Sequence, residues 1–178
     1  KIVSLCEASR WAPSCGADEP WRFIIWDKFS SAKEYSMAYE FLAAGNKIGE
    51  KNAPLLIAVI ADTRWRSNRE ALNKWAPFDT GASAMALYLQ AFDLGLYAHP
   101  MAGFDATKLR ELFQIPQDYE PFAMVAVGYP GNIEDLESPY KERELRERNR
   151  RPLEDNFFYA LWANPLQYQK LIEDNTNV

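Results

Sequence analysis

The sequence predicts a layered α/β (α+β) fold, with helices packed on a small central sheet. Two continuous apolar runs, Pro54–Ala61 (PLLIAVIA) and Phe122–Val127 (FAMVAV), have strand length and end in turn or polar residues. A strand without a polar face needs cover on both sides. Between them, Asp79–Leu96 is apolar at a period of 3.6 on more than one face, through Ala82, Ala84, Met85, Leu87, Tyr88, Leu89, Ala91, Phe92 and Leu94. Such a helix is buried in a domain centre or in a subunit interface. Helical patterns lie before, between and after the strands, and layers of helix and sheet are the stable way to bury both.

In chain order, residues 1–10 read as the end of a helix with Ile2, Leu5 and Cys6 inward, and Pro13 stops it by disfavouring the helical conformation at Ala12. Ser14–Glu19 is loop, and Arg22–Trp26 (RFIIW) is a β-branched and aromatic strand. Ser30 or Ser31 caps a helix whose inner face is Tyr35, Ala38, Tyr39 and Leu42. Gly45-Asn46 breaks it, and a short helical piece runs to Asn52 before the first apolar strand. Residues 62–78 form a polar excursion, expected to be mobile, with Trp65 and Trp75 as candidates to cover a substrate. Asp79 is the expected cap of the central helix and Gly95 its left-handed end. A short apolar piece then leads to the loop Pro100–Gly103, and Asp105 caps a helix over Ala106–Gln114. After Gly128 the chain is charged through residue 151, and Asn164-Pro165 opens a last helix carrying Leu166, Leu171 and Ile172. With no linker or repeat, residues 1–178 read as a single domain.

The 178 residues suffice for a core; 48% are apolar and 14% aromatic, which excludes a disordered chain. A net charge of -5 argues against nucleic acid and an anionic membrane surface as partners. The longest apolar run, Ala53–Ala61, is too short to span a bilayer. Two cysteines make no disulfide framework, which points to a reducing cytoplasm. Cys6 reads as core. The one histidine, His99, leaves no His-rich metal site, so no metal is expected and, in an enzyme, the difficult chemistry would belong to a cofactor. The chain opens inside a helical pattern with no cap before it, so further residues are expected upstream of Lys1.

Four stretches carry a resemblance to the FMN-dependent nitroreductase family. Arg10–Trp26 (RWAPSCGADEPWRFIIW) resembles the family's A-P-S-x-x-N-x-Q-P-W-x-F segment. Gly45–Ala61 (GNKIGEKNAPLLIAVIA), Asp79–Asp105 with its G-L-x-x-x-P-M-x-G-F-D ending, and Ile115–Pro130 (IPQDYEPFAMVAVGYP) with Arg148–Leu153 (RNRRPL) follow in the family's order. The resemblance implies a three-layer sandwich around a mainly antiparallel or mixed sheet, and an intertwined homodimer with FMN at the interface. It implies NAD(P)H as co-substrate and a small-molecule electron acceptor such as a nitroaromatic or quinone. It places Pro100, Met101, Ala102 and Gly103 along the flavin, with backbone of Ala102 and Gly103 near the reactive ring nitrogen N5. Asn46 falls at the ring edge, Pro13, Ser14 and Cys15 on a loop given by the second subunit, and Arg148 and Arg150 on the phosphate. No side chain is assigned as a catalytic acid or base.

The residue types suit those roles. A flavin needs a flat apolar wall, a few edge donors and cations at its phosphate, and guanidinium groups bind phosphate bidentately. Each feature also has a plainer reading. Arg148 and Arg150 can sit on a solvated helix with pairs Glu142–Arg146, Glu144–Arg148 and Glu147–Arg151. Asn46 can be a helix cap, and His99 a support for the loop. The sequence departs from the family at Ala17 and Glu19, where Asn and Gln are common, and lacks the Arg-Arg-Ser element the family carries upstream of residue 1. A flavin-binding or interaction protein without turnover, a specialised relative such as a dehalogenase or dehydrogenase, and a non-flavin dimeric scaffold are the alternatives.

Overall fold

A computed structural model describes residues 1–166, and the chain divides into two compact units, Lys1–Leu136 and a second that begins at Glu137. In the first unit, β1 (Trp21–Asp27), β2 (Leu55–Asp62), β3 (Tyr97–Met101) and β4 (Tyr119–Gly128) form one antiparallel sheet in the order β1-β2-β4-β3. The two apolar runs are therefore the two central strands. All eight residues of β2 are buried. Pro100 is tolerated in β3 because that strand is an edge and its missing N–H breaks no ladder.

Helices cover both faces. α1 (Ile2–Arg10) and α4 (Ala76–Asp93) pack on one, α2 (Ala32–Glu40) and α5 (Ala106–Leu112) on the other. Strand alternation sorts the core between them. Leu55, Ile57 and Val59 of β2 with Val125 and Val127 of β4 meet Leu5, Ala84, Leu87 and Ala91. Leu56, Ala58 and Ile60 with Met124 and Ala126 meet Tyr35, Ala38, Leu42 and Leu109. Each fully buried large side chain contributes about 1.5–3 kcal/mol, so the sheet is stabilised from both sides. The three-layer α+β expectation is met.

Several boundaries differ from the sequence-based expectation. α4 starts at Ala76, with Pro77 in its first turn, so Asp79 lies inside the helix and is not its cap. Ser31 precedes α2, yet its hydroxyl bonds the backbone of Asp27. α3 (Ala44–Glu50) contains Gly45 and Asn46 instead of being preceded by them. The break after α2 falls at Phe41–Ala43, where Ala43 N donates to Gly103 O at 2.9 Å and Leu42 bridges Phe104; a tertiary contact ends that helix. Cys6 is exposed, not core, because α1 turns Leu5 and Ser9 inward, Ser9 against Ser83 of α4. Gly95 does adopt a left-handed φ of 72°, and Asp105 caps α5 by accepting from Lys108 N at 3.0 Å. That bond to the carboxylate, the largest cause, lowers the Asp105 pKa.

The second unit holds two short helices, α6 (Tyr140–Leu145) and α7 (Leu153–Asn156). α6 stops at Leu145, so Glu147 and Arg151 are not partners on a helix. Pro165 sits opposite Phe158 in an isolated bridge, and the helix expected to carry Leu171 and Ile172 lies outside the described residues.

Candidate functional site

Two of the expected site segments are joined directly. Asn46, on the third residue of α3, donates its amide to Gly103 O at 2.9 Å, the same carbonyl that accepts from Ala43 N. The asparagine is thus neither a helix cap nor a free edge group; one side of its amide ties α3 to the loop after β3, and its Oδ1 remains as an acceptor. A second tie runs from His99 Nδ1 on β3 to Glu50 Oε1 at the end of α3, 2.5 Å apart. His99 therefore supports this corner, as expected.

The loop itself is shorter than the sequence suggested. Pro100 and Met101 belong to β3, and Met101 packs in the core cluster beneath the sheet. Ala102 and Gly103 are exposed and follow the last paired position, Met101 opposite Met124. Gly103 is required by space. A Cβ there would lie 3.0 Å from Asn46 Nδ2 and 3.2 Å from Ala43 Cβ. Beside this loop opens a cleft of about 470 Å³, lined by Glu40, Phe41, Leu42, Phe104, Asp105 and Lys108 with the loop backbone.

Pro13, Ser14 and Cys15 line a second, smaller pocket of about 280 Å³ with Trp75, Phe78, Asp79 and Ala82. Here Asp79, 3% exposed, accepts from Cys15 N at 2.9 Å. Ser14 Oγ accepts from Glu19 N at 3.0 Å, so this hydroxyl closes its own loop. The polar excursion is also tied down, contrary to expectation. Asp62 accepts from Arg69 at 2.6 Å and from Arg64 N at 3.1 Å, Arg64 pairs with Asp118 at 3.2 Å, and Asp18 accepts from Arg66 N at 2.9 Å. Burial pushes the Asp62 carboxyl upward, but the bonds from Arg69, Arg64 N and Tyr119 outweigh it and hold its pKa below the ordinary value. Asp18 and Asp62 were missed as organisers because an isolated Asp in a polar stretch reads as solvated, and Asp79 because it reads as a helix cap.

Arg148 and Arg150 fall in the second unit, both exposed beyond the end of α6. Arg150 donates to the carbonyl of Asn149 at 2.9 Å, and among the described residues neither arginine pairs with a carboxylate. The described residues contain no cluster of three or more His, Cys, Asp or Glu able to hold a metal ion, and no helix long and apolar enough to cross a membrane.

The first unit is thus an antiparallel sheet between two helical layers, with an exposed glycine loop after its edge strand. A model of the nitroreductase family matches residues 1–129, and the chain belongs to that family. An uncharacterised 15.4 kDa protein of Mycolicibacterium smegmatis is 39% identical over 114 residues, 64% of this chain and 75% of its own. A protein of Archaeoglobus fulgidus provisionally named NADH dehydrogenase/NAD(P)H nitroreductase is 29% identical over 139 residues, 76% of this chain and 75% of its own. A crystal structure of an FMN-containing oxidoreductase is similar with a TM-score of 0.85 and 30% identity, over 92% of this chain and 82% of that one. A nitroreductase family protein of Clostridium difficile shares the fold, with a TM-score of 0.65 at 24% identity, over 90% of this chain and 85% of its own.

Proposed function

We propose that the protein is an FMN-dependent oxidoreductase that takes reducing equivalents from NAD(P)H and passes them to a nitroaromatic, quinone or similar acceptor, working as a homodimer in the cytoplasm. The observation that carries this reading is the double tie of α3 to the loop after β3, in a chain of the nitroreductase family. It makes one rigid corner of the residues a flavin would need.

The residues present fit such a group. The exposed Ala102–Gly103 backbone offers main-chain donors with little side-chain bulk. The Asn46 Oδ1 is left to accept from a ring-edge N–H. Pro100 and Met101 set the loop from β3, and the Pro13–Cys15 loop presents a small-residue surface beside Trp75 and Phe78. Arg148 and Arg150 are assigned to the phosphate on their charge alone. The flavin, when bound, supplies the hydride chemistry; the chain binds it, orients it and keeps water off it. No side chain is assigned as a general acid or base.

For the dimer, α4 exposes Phe78, Met85, Leu89 and Phe92 along one face, with Phe92 75% exposed, and Val3 and Trp11 are exposed on or beside α1. Apolar side chains repeating along one helix face form the kind of patch that partner subunits cover. Two exposed free cysteines suit a reducing compartment.

The test is a titration of the purified protein with FMN, followed by steady-state oxidation of NADPH and of NADH with menadione and nitrofurazone as acceptors. Sustained turnover is expected. Flavin binding without turnover would leave a flavin-binding protein of the same fold, and absence of flavin binding would remove the proposal altogether.

A further inference from the structure

The chain between α1 and β1 carries a conformational burden. Gly16, Ala17 and Glu19 have φ of 61°, 51° and 50°. For a residue with a Cβ each left-handed position costs roughly 1–2 kcal/mol, and such strain persists only where the surroundings over-determine it. Here they do. Asp79 Oδ2 accepts from Cys15 N at 2.9 Å. Asp18 Oδ1 accepts from Arg66 N and Asp18 Oδ2 from Asn73 Nδ2, both at 2.9 Å, while Asn73 Oδ1 accepts from Trp75 N at 3.0 Å. Arg66 returns a bond to Ala17 O at 3.3 Å. Asp79 and Asn73 are each 3% exposed and Asp18 is 7% exposed. Every partner on this chain belongs to the 13–19 loop, to the 62–75 excursion or to the first turn of α4, and none of these bonds is part of the sheet.

We infer that Asp79 and Asp18 are positioning residues which lock the Pro13–Cys15 loop and the Trp75–Phe78 wall into one unit, and that this unit sets how the acceptor is held. The inference rests on the flavin reading of the Pro13–Cys15 loop. A buried carboxyl group serves here because it can accept a main-chain N–H and still hold its own position by burial. Two strained residues in a loop released from Asp79 would relax toward ordinary φ values, and the pocket of about 280 Å³ would lose its shape.

The test compares the wild-type protein with Asp79→Ala, Asp79→Asn and Asn73→Ala. Amide hydrogen exchange at Cys15 reads the lock directly and needs no flavin. FMN affinity and the menadione KM and kcat read its consequence. Asp79→Ala is expected to lose Cys15 protection and to raise the menadione KM about tenfold, the size of one hydrogen bond to a charged group, with kcat changed much less. Asp79→Asn keeps an oxygen acceptor in the same place and is expected to restore both protection and KM to within about twofold. Asn73→Ala cuts the chain at its other end and is expected to raise KM likewise, which keeps the proposal testable if Asp79→Ala does not fold. An unchanged KM in folded Asp79→Ala or Asn73→Ala, or an Asp79→Asn variant as impaired as Asp79→Ala, overturns the positioning role while the flavin reading stands. A wild-type protein that shows Cys15 protection but binds no FMN overturns the flavin reading and the positioning role with it, leaving only the lock.

Discussion

At Gly103 the absence of one carbon atom decides the geometry of a corner. A valine there would drive Cβ against the Asn46 amide and Ala43, so the first casualty would be the α3 contact and not the space reserved for a ring. Gly103→Val is therefore expected to lower the FMN affinity at least tenfold through a displaced α3; a variant that binds FMN like the parent would show that the corner is not part of the site. Thr80, the neighbour of Asp79, makes a different point. It is 1% exposed, and among the described residues its hydroxyl has no hydrogen-bond partner. Thr80→Val keeps the shape and removes an unsatisfied group, so it should raise stability by about 1 kcal/mol, seen as an increased denaturation midpoint in urea. A decrease would mean that the hydroxyl has a partner in solution. Residues of this kind could not be read from the sequence. Asp79 looked like a cap because Asp before an apolar helix usually is one, and only the earlier start of α4 turned it inward.

At the scale of elements, the excursion between β2 and α4 behaves as a structured strap. Its anchor is Asp62, whose pKa is lowered because the bonds from Arg69, Arg64 N and Tyr119 outweigh its burial. A carboxyl group with a depressed folded pKa contributes stability that is present above its unfolded value, about 3.9, and is lost as pH falls through the folded value. Removing Arg69 leaves burial less opposed and raises the Asp62 pKa. Arg69→Ala should thus unfold at a higher pH than the parent on the acid side, with a modest loss of stability at neutral pH because Arg69 is partly exposed. Identical acid-unfolding midpoints would refute the anchor role. The elements built on burial were legible from sequence: the apolar strands, the inner faces of α2 and α4, the Asp105 cap and Gly95 all follow local rules. The strap, the end of α2 at Ala43 and the inclusion of Asn46 in α3 depend on partners up to 60 residues away, as Ala43 and Gly103 illustrate, and no local pattern carries them.

For the molecule as a whole, the sandwich leaves one face of α4 apolar and uncovered within a single chain. If two copies meet there, Leu89→Asp should yield a monomer with lost flavin, because a charge in an apolar interface has no compensating partner. Sedimentation would report it, and a yellow, soluble monomer would contradict the shared site. The ordered set of four sequence stretches pointed to the family whose model matches residues 1–129. The position of Arg148 and Arg150 rests on charge alone, because α6 ends before them. The account stands or falls on one measurement, the visible absorption spectrum of the purified protein after incubation with FMN and gel filtration, before and after NADPH. It predicts a retained yellow flavin band that bleaches on reduction and returns in air; a colourless protein fraction, with all FMN in the small-molecule eluate, would contradict it.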